Sequence, residues 1–203
     1  MGSQWTNDSV YRKAMRAGYR ARAAYKLLEI QRRHGIIRPD DNVVDLGAAP
    51  GSWLQVLRDL TDAKVIGVDL NPIAPLEGVT TIVGDFTDPR VQERIREEAG
   101  GIVNVVVSDA APKLSGQKSY DQARAVGLGE DALAFACTIL KPGGNLVIKS
   151  FQGELFAELL AEVRKHFYSV RGYQTKASRK GSAEVYIVAK NFKGTCDGAE
   201  RSL

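Results

Sequence analysis

The 203-residue chain has only two cysteines, two tryptophans and no long apolar run. Cys137 and Cys196 are far apart and outside any metal-ligand spacing. That argues against a disulfide framework and a zinc site, and fits a reducing, cytoplasmic setting. No apolar stretch approaches the roughly 20 residues of a membrane-spanning helix. The N-terminus lacks the apolar centre of a secretory signal. Met1 to Thr6 fits the loose myristoylation pattern, but the pattern is short and bulky Trp5 lies inside it. At 44% hydrophobic and 26% charged residues, the chain can build one domain with a substantial core. A monomer without metal or membrane attachment is expected.

The net charge of +4 is unevenly spread. Residues 1–35 hold eight Lys/Arg against Asp8 and Glu29, a net +6; the remaining 168 residues hold 20 basic and 22 acidic side chains, a net −2. Tyr11, Tyr19 and Tyr25 interleave with the cations. Clustered cations with aromatics suit a polyanion such as RNA, and Arg12, Lys13, Arg16, Arg20 and Arg22 are the candidate contacts. A solvated helix face explains the same charges equally well. A mitochondrial presequence is the weaker reading, because this segment also carries a candidate for the chemistry.

Apolar periodicity predicts a helix over Tyr19–His34 stopped by Gly35, with Ala24, Leu27 and Leu28 on one face and Arg22, Lys26 and Arg33 on a basic stripe away from it. After Pro39, strands and helices alternate. Strands are expected at Asn42–Leu46, Lys64–Asp69, Thr80–Val83, Val103–Ser108, Asn145–Lys149 and Glu184–Lys190. Helices are expected at Ser52–Leu60, Val91–Glu98, Leu128–Leu140 and Glu154–His166. Near-continuous apolar strands separated by helices imply a parallel sheet covered on both faces. Pro112–Val126 is polar and reads as a mobile loop at the active edge. The organisation is a basic helical segment over 1–35, a body over 36–192 in the same domain, and a polar, disordered tail over 193–203.

The most informative stretch is VVDLGAAPGSW, Val43–Trp53. A strand runs into a turn of small residues and then a helix, the arrangement for a nucleotide-like ligand at the carboxyl edge of a parallel sheet. The spacing Gly47-x-x-x-Gly51 is not the dinucleotide G-x-G-x-x-G, and no G-K-[ST] follows as in a phosphate-cradling loop. A nicotinamide oxidoreductase is therefore disfavoured. Asp45 favours a cationic ligand over a pyrophosphate. Asp69, Asp85 and Asp109 end three further strands. One acid at a strand end is usually a helix cap; four around one crevice with a glycine turn point to S-adenosylmethionine, an adenosine joined to a sulfonium and an amino acid.

DLGAAPGSW, VDLNP, GDFTD, SDAAPKLSG, LKPGGNLVIKSFQG and EVYIVA occur in this order, preceded by YRARAAYKL. Together they resemble the FtsJ/RrmJ family of ribose 2′-O-methyltransferases over Tyr19 to Lys190. The resemblance implies a Rossmann-like class I S-adenosylmethionine-dependent fold, a mostly parallel seven-stranded α/β sheet with an antiparallel last strand. It implies a Lys-Asp-Lys-Glu tetrad at Lys26, Asp109, Lys149 and Glu184, with Lys149 as proton acceptor toward the 2′-hydroxyl, Lys26 its cationic neighbour, and the two acids orienting amines and ribose. It implies cofactor contacts at Gly51, Trp53, Asp69, Asp85 and Asp109. Ser52 departs from the second glycine often found there and is expected to cap the helix.

An alcohol is a poor nucleophile until it loses its proton, and a positioned amine can take it. Base methylation is disfavoured: SDAAP lacks the Asn-Pro-Pro-aromatic type sequence, Cys137 reads as a core residue, and Cys196 lies in the tail. Lys113, Lys118, Arg179 and Lys180 could extend the basic patch. A 2′-hydroxyl selects RNA over DNA. The compact form resembles members acting on a uridine of large-subunit ribosomal RNA in the assembled subunit. A tRNA 2′-O-methyltransferase and a non-catalytic ribosome assembly factor are the alternatives.

Overall fold

A computed structural model describes residues 9–112, 115–179 and 181–194. The Met1–Thr6 pattern, Lys113, Lys180, Cys196 and most of the expected tail lie outside the described residues, as does the side chain of Lys118. In chain order the elements are α1 (Ser9–Arg16), α2 (Ala24–His34), β1 (Val43–Leu46), α3 (Ser52–Leu60), β2 (Val65–Asp69), β3 (Val79–Val83), α4 (Pro89–Ala99), β4 (Val103–Ser108), α5 (Lys118–Ile139), β5 (Leu140–Phe151), α6 (Glu154–His166), β6 (Phe167–Tyr173) and β7 (Glu184–Phe192).

The seven strands are ordered β3-β2-β1-β4-β5-β7-β6. Five pair in parallel, and β7 runs antiparallel to both β5 and β6. Order reverses beside β1, so β1 and β4 open a crevice at their carboxyl ends, where α/β sheets bind ligands.

Successive strand residues project to opposite faces, and two cores result. Val44, Leu46, Val106, Leu146, Ile148 and Ile187 pack under α4, α5 and α6. Val43, Val105, Val107, Val147, Tyr186 and Val188 pack under α2 and α3 through Leu27, Ile30, Trp53 and Leu57. The same parity puts Asp45, Asp109, Lys149 and Glu184 on the α2 side. The basic N-terminal segment is thus built into the main core.

Several expectations are corrected. α2 begins at Ala24, because 19–23 form a turn in which the Arg20 N–H donates to Gln55 Oε1 at 2.8 Å. Residues 118–126 are helical, not loop: Ala125 and Val126 are buried, and Asp121 accepts hydrogen bonds from Ser115 N–H, Ser115 Oγ and Gly116 N–H. Neither α1 nor β6 is among the expected elements; β6 is a largely exposed edge strand. Gly51, not Ser52, is the N-cap of α3, and no side chain caps that helix. Cys137, expected in the core, packs partly buried against it, and it is disulfide-bonded, where the sequence argued against disulfides.

Candidate active site

The turn after β1 is shaped by close approach. Gly47 has φ +74°, and a Cβ there would lie 2.7 Å from Ala110 Cα at the end of β4. The Gly47 and Ala48 amides both donate to the Val68 carbonyl. Asp69 Oδ2 accepts from the Ala49 N–H at 3.0 Å, while Oδ1 accepts from the backbone and side-chain amides of Asn71. Asp85 Oδ1 accepts from the Thr87 N–H and hydroxyl. Gly51, at φ +100°, lies under Arg20, whose guanidinium donates to the carbonyls of Pro50 (3.1 Å), Ala74 (2.7 Å) and Pro75 (2.9 Å). Arg20 thus joins the N-terminal segment to the turn and to the loop after β2.

Trp53 is buried in the core: its indole N–H donates to the Ala23 carbonyl at 2.8 Å and its ring lies 6.0 Å from that of Tyr186. Its side chain fixes α3 against the start of α2 instead of lining an open crevice.

Asp45 is fully buried, and among the described residues neither carboxylate oxygen has a hydrogen-bond partner. Burial, reinforced by the charges of Asp109 and Asp69, pushes its carboxyl well above the ordinary range. An orphaned acid beside a glycine turn is costly to the fold. It suits a site that receives a cation, and a ligand carrying a sulfonium and an α-ammonium fits this donor set.

The four predicted tetrad residues meet at the same edge. Lys149 Nζ lies 3.0 Å from Asp109 Oδ1 and also donates to the Asp109 carbonyl. Lys26 Nζ lies 2.7 Å from Glu184 Oε2 and 3.9 Å from Asp109 Oδ1. Lys26 is buried, so it stands in this cluster and not on a solvated stripe. Burial raises the Asp109 carboxyl, but Lys149 and Lys26, with hydrogen bonds from Tyr186 and Lys149, outweigh it and hold the group below the usual range.

Two members of the cluster escaped sequence reasoning. Tyr186 is fully buried; its hydroxyl lies 2.6 Å from Asp109 Oδ1 and 3.3 Å from Glu184 Oε1, and Lys26 Nζ sits 5.7 Å from its ring centroid. Burial, then the charges of Asp109 and Glu184, push its phenol well above the ordinary value. Ser178 donates to Glu184 Oε1 at 2.6 Å. Strand parity could have found Tyr186, two residues after Glu184; no local signal marks Ser178.

Of the candidate RNA contacts, Arg12, Lys13 and Arg16 are exposed on α1, with Lys13 Nζ 5.2 Å from the Tyr25 ring centroid. Arg20 and Arg22 are partly buried and bonded to backbone carbonyls, Arg22 to that of Ala177 at 2.6 Å. Among the described residues, no group of three or more His, Cys, Asp and Glu could hold a metal, and no helix is long and apolar enough to cross a membrane.

Residues 19–192 match the family model described as FtsJ-like methyltransferase. The chain is 89% identical, over its full length and that of the relative, to ribosomal RNA large subunit methyltransferase E of Methanoculleus marisnigri. It is 64% identical to the protein of the same name from Methanoregula boonei, over 96% of this chain and 100% of the relative. A crystal structure of a ribosomal RNA methyltransferase from Plasmodium falciparum superposes with a TM-score of 0.79 at 27% identity, covering 87% of this chain and all of that one.

Proposed function

Since the chain belongs to the FtsJ-like methyltransferase family, we propose that it transfers a methyl group from S-adenosylmethionine to a ribose 2′-hydroxyl of large-subunit ribosomal RNA. The names of its relatives support that substrate. The observation that carries the chemistry is the cluster of Lys26, Asp109, Lys149, Glu184 and Tyr186 beside the glycine turn.

When bound, S-adenosylmethionine supplies an electrophilic methyl on a sulfonium that leaves as a neutral thioether. Gly47 and Gly51 let the turn close against Ala110 and Arg20; Asp69 and Asp85 would offer acceptors to the adenosine, and Asp45 and Asp109 would hold the cationic end. In this reading Trp53 contributes through its place in the first turn of α3.

Lys149 takes the hydroxyl proton. Its amine makes two bonds to Asp109, one to Oδ1 and one to the carbonyl. A neutral amine has two N–H donors and one lone pair, so with both donors engaged the lone pair is left for the 2′-hydroxyl. Fixing that direction supplies part of the rate, because the attacking oxygen must be aligned with the methyl group. Lys26 sets a positive charge beside Asp109 and is held there by Glu184, which Ser178 and Tyr186 brace.

The test is methyl transfer from labelled S-adenosylmethionine to large ribosomal subunits lacking the modification, with free ribosomal RNA and bulk tRNA in parallel, followed by nucleoside analysis. A labelled 2′-O-methyl nucleoside from the large subunit is expected. Lys149→Ala should abolish transfer while cofactor binding stays within a few-fold; equal loss of both would make Lys149 structural. Label in tRNA alone would overturn the substrate. Absence of label in every RNA, with cofactor bound, would overturn the enzymatic reading.

A further inference from the structure

We propose that a second cationic pocket, below the catalytic cluster on the same face of the sheet, holds a phosphate of the RNA substrate away from the reacting ribose. The inference rests on the RNA methyltransferase reading above. The pocket has a volume of about 300 Å³ and is lined by Arg33, His34, Ser169, Arg171, Val188 and Lys190.

Strand register connects it to the site. On β7, Glu184, Tyr186, Val188 and Lys190 project to the α2 side, and their partners on β6 are Tyr173 opposite Tyr186, Arg171 opposite Val188 and Ser169 opposite Lys190. Directly opposed residues share a face. At about 3.3 Å per residue, the pocket begins roughly 13 Å from Glu184 and extends to roughly 20 Å. One row of side chains therefore starts in the tetrad and ends in the pocket. Between the two, Tyr186 and Val188 are covered by α2, so a strand of RNA with its ribose at Lys149 would reach the pocket over the outer side of that helix, where Arg33 is exposed.

The charge is of one sign. Arg33, Arg171 and Lys190 converge with no acid in the lining, and neither arginine forms an ion pair among the described residues. The carbonyl end of α2 would repel an anion, but Lys190 Nζ donates to the carbonyls of His34 (2.9 Å) and Gly35 (3.4 Å) and offsets it. Glu29, a turn earlier on α2, is occupied by the Tyr173 hydroxyl and the amides of Lys176 and Ala177. The imidazole of His34 reports the local field: burial first, then Arg33, Arg171 and Lys190, lower its affinity for a proton. A solvated patch would gain nothing from gathering like charges in a concavity. A phosphate would relieve their repulsion and accept the planar guanidinium donors.

The test uses the full chain with Arg33→Ala and Arg171→Ala combined, both exposed side chains. RNA dissociation constants are measured against salt concentration, with KM and kcat for methyl transfer to the RNA that the wild type modifies. The salt slope should fall by about one, as for loss of one phosphate contact. KM for RNA should rise about ten-fold, with kcat at saturating RNA and cofactor affinity unchanged, and the double Arg→Lys variant should recover most of the slope. An unchanged slope and KM would overturn the pocket while leaving the enzyme intact. Parallel loss of kcat and cofactor affinity would also overturn it, as a structural effect. If the wild type methylated no RNA, the functional reading would fail separately, and the slope of RNA binding alone would still decide the pocket.

Discussion

Asp45 is the residue at which fold and function conflict most. Its carboxyl is raised by burial and by Asp109 and Asp69, so the folded state binds its proton more tightly than the unfolded chain does. Stability from this group is therefore greatest below the unfolded value near 4 and declines as pH rises above it toward the folded value. Asp45→Asn removes the titration. The variant should gain stability over the wild type at pH 8 relative to pH 5, read from urea unfolding, and should bind S-adenosylmethionine at least ten-fold more weakly. A stability difference that does not grow with pH would show that the carboxylate already has a partner in the folded protein. Asp109 has the opposite sign: its lowered carboxyl stabilises the fold above the ordinary carboxylate range and loses that contribution only as pH falls through its own depressed value.

At the scale of elements, the β1 turn is constrained by its neighbour strand. Gly47→Ala combines a left-handed backbone with a Cβ placed 2.7 Å from Ala110 Cα. A cost of about 2–4 kcal/mol is expected from strain and overpacking together, with loss of cofactor binding. Unfolding within about 0.5 kcal/mol of wild type would mean that β4 yields easily. This element was legible in sequence because small residues between an apolar strand and a helix have few other uses. The helical start of α5 was not. Its polar first turns look like loop; the bonds that Asp121 accepts from Ser115 and Gly116, together with the packing that buries Ala125 and Val126, make them helix.

For the whole molecule, the tetrad exists only when α2 docks on β7. Lys26 comes from one side of that junction and Asp109, Lys149 and Glu184 from the other. Glu29 is a principal fastener, accepting from Tyr173 Oη at 2.8 Å and from the Lys176 and Ala177 amides. Glu29→Ala should cost about 2 kcal/mol by the scale of hydrogen bonds to charged groups. Methyl transfer should fall more than cofactor affinity, because the turn after β1 is built without Glu29. Equal loss of both, measured by initial rates and cofactor titration, would mean that docking also supports the turn.

The sequence by itself determined the alternation of strands and helices and the glycine turn, because these follow from local periodicity and from a motif contained in one short segment, and its resemblance to the FtsJ/RrmJ family implied the four tetrad candidates. Tertiary structure alone decided that Lys26 is buried and paired, that Tyr186 and Ser178 join the cluster, that Trp53 is core, and that Arg20 clamps the turn. Apart from Ser178, whose bond to Glu184 spans six positions, each depends on partners from about 30 to 160 positions away, or on which face a strand residue shares with a helix. The antiparallel run of β7 carries Glu184 back to the edge where β4 and β5 end, and no window of sequence contains that juxtaposition.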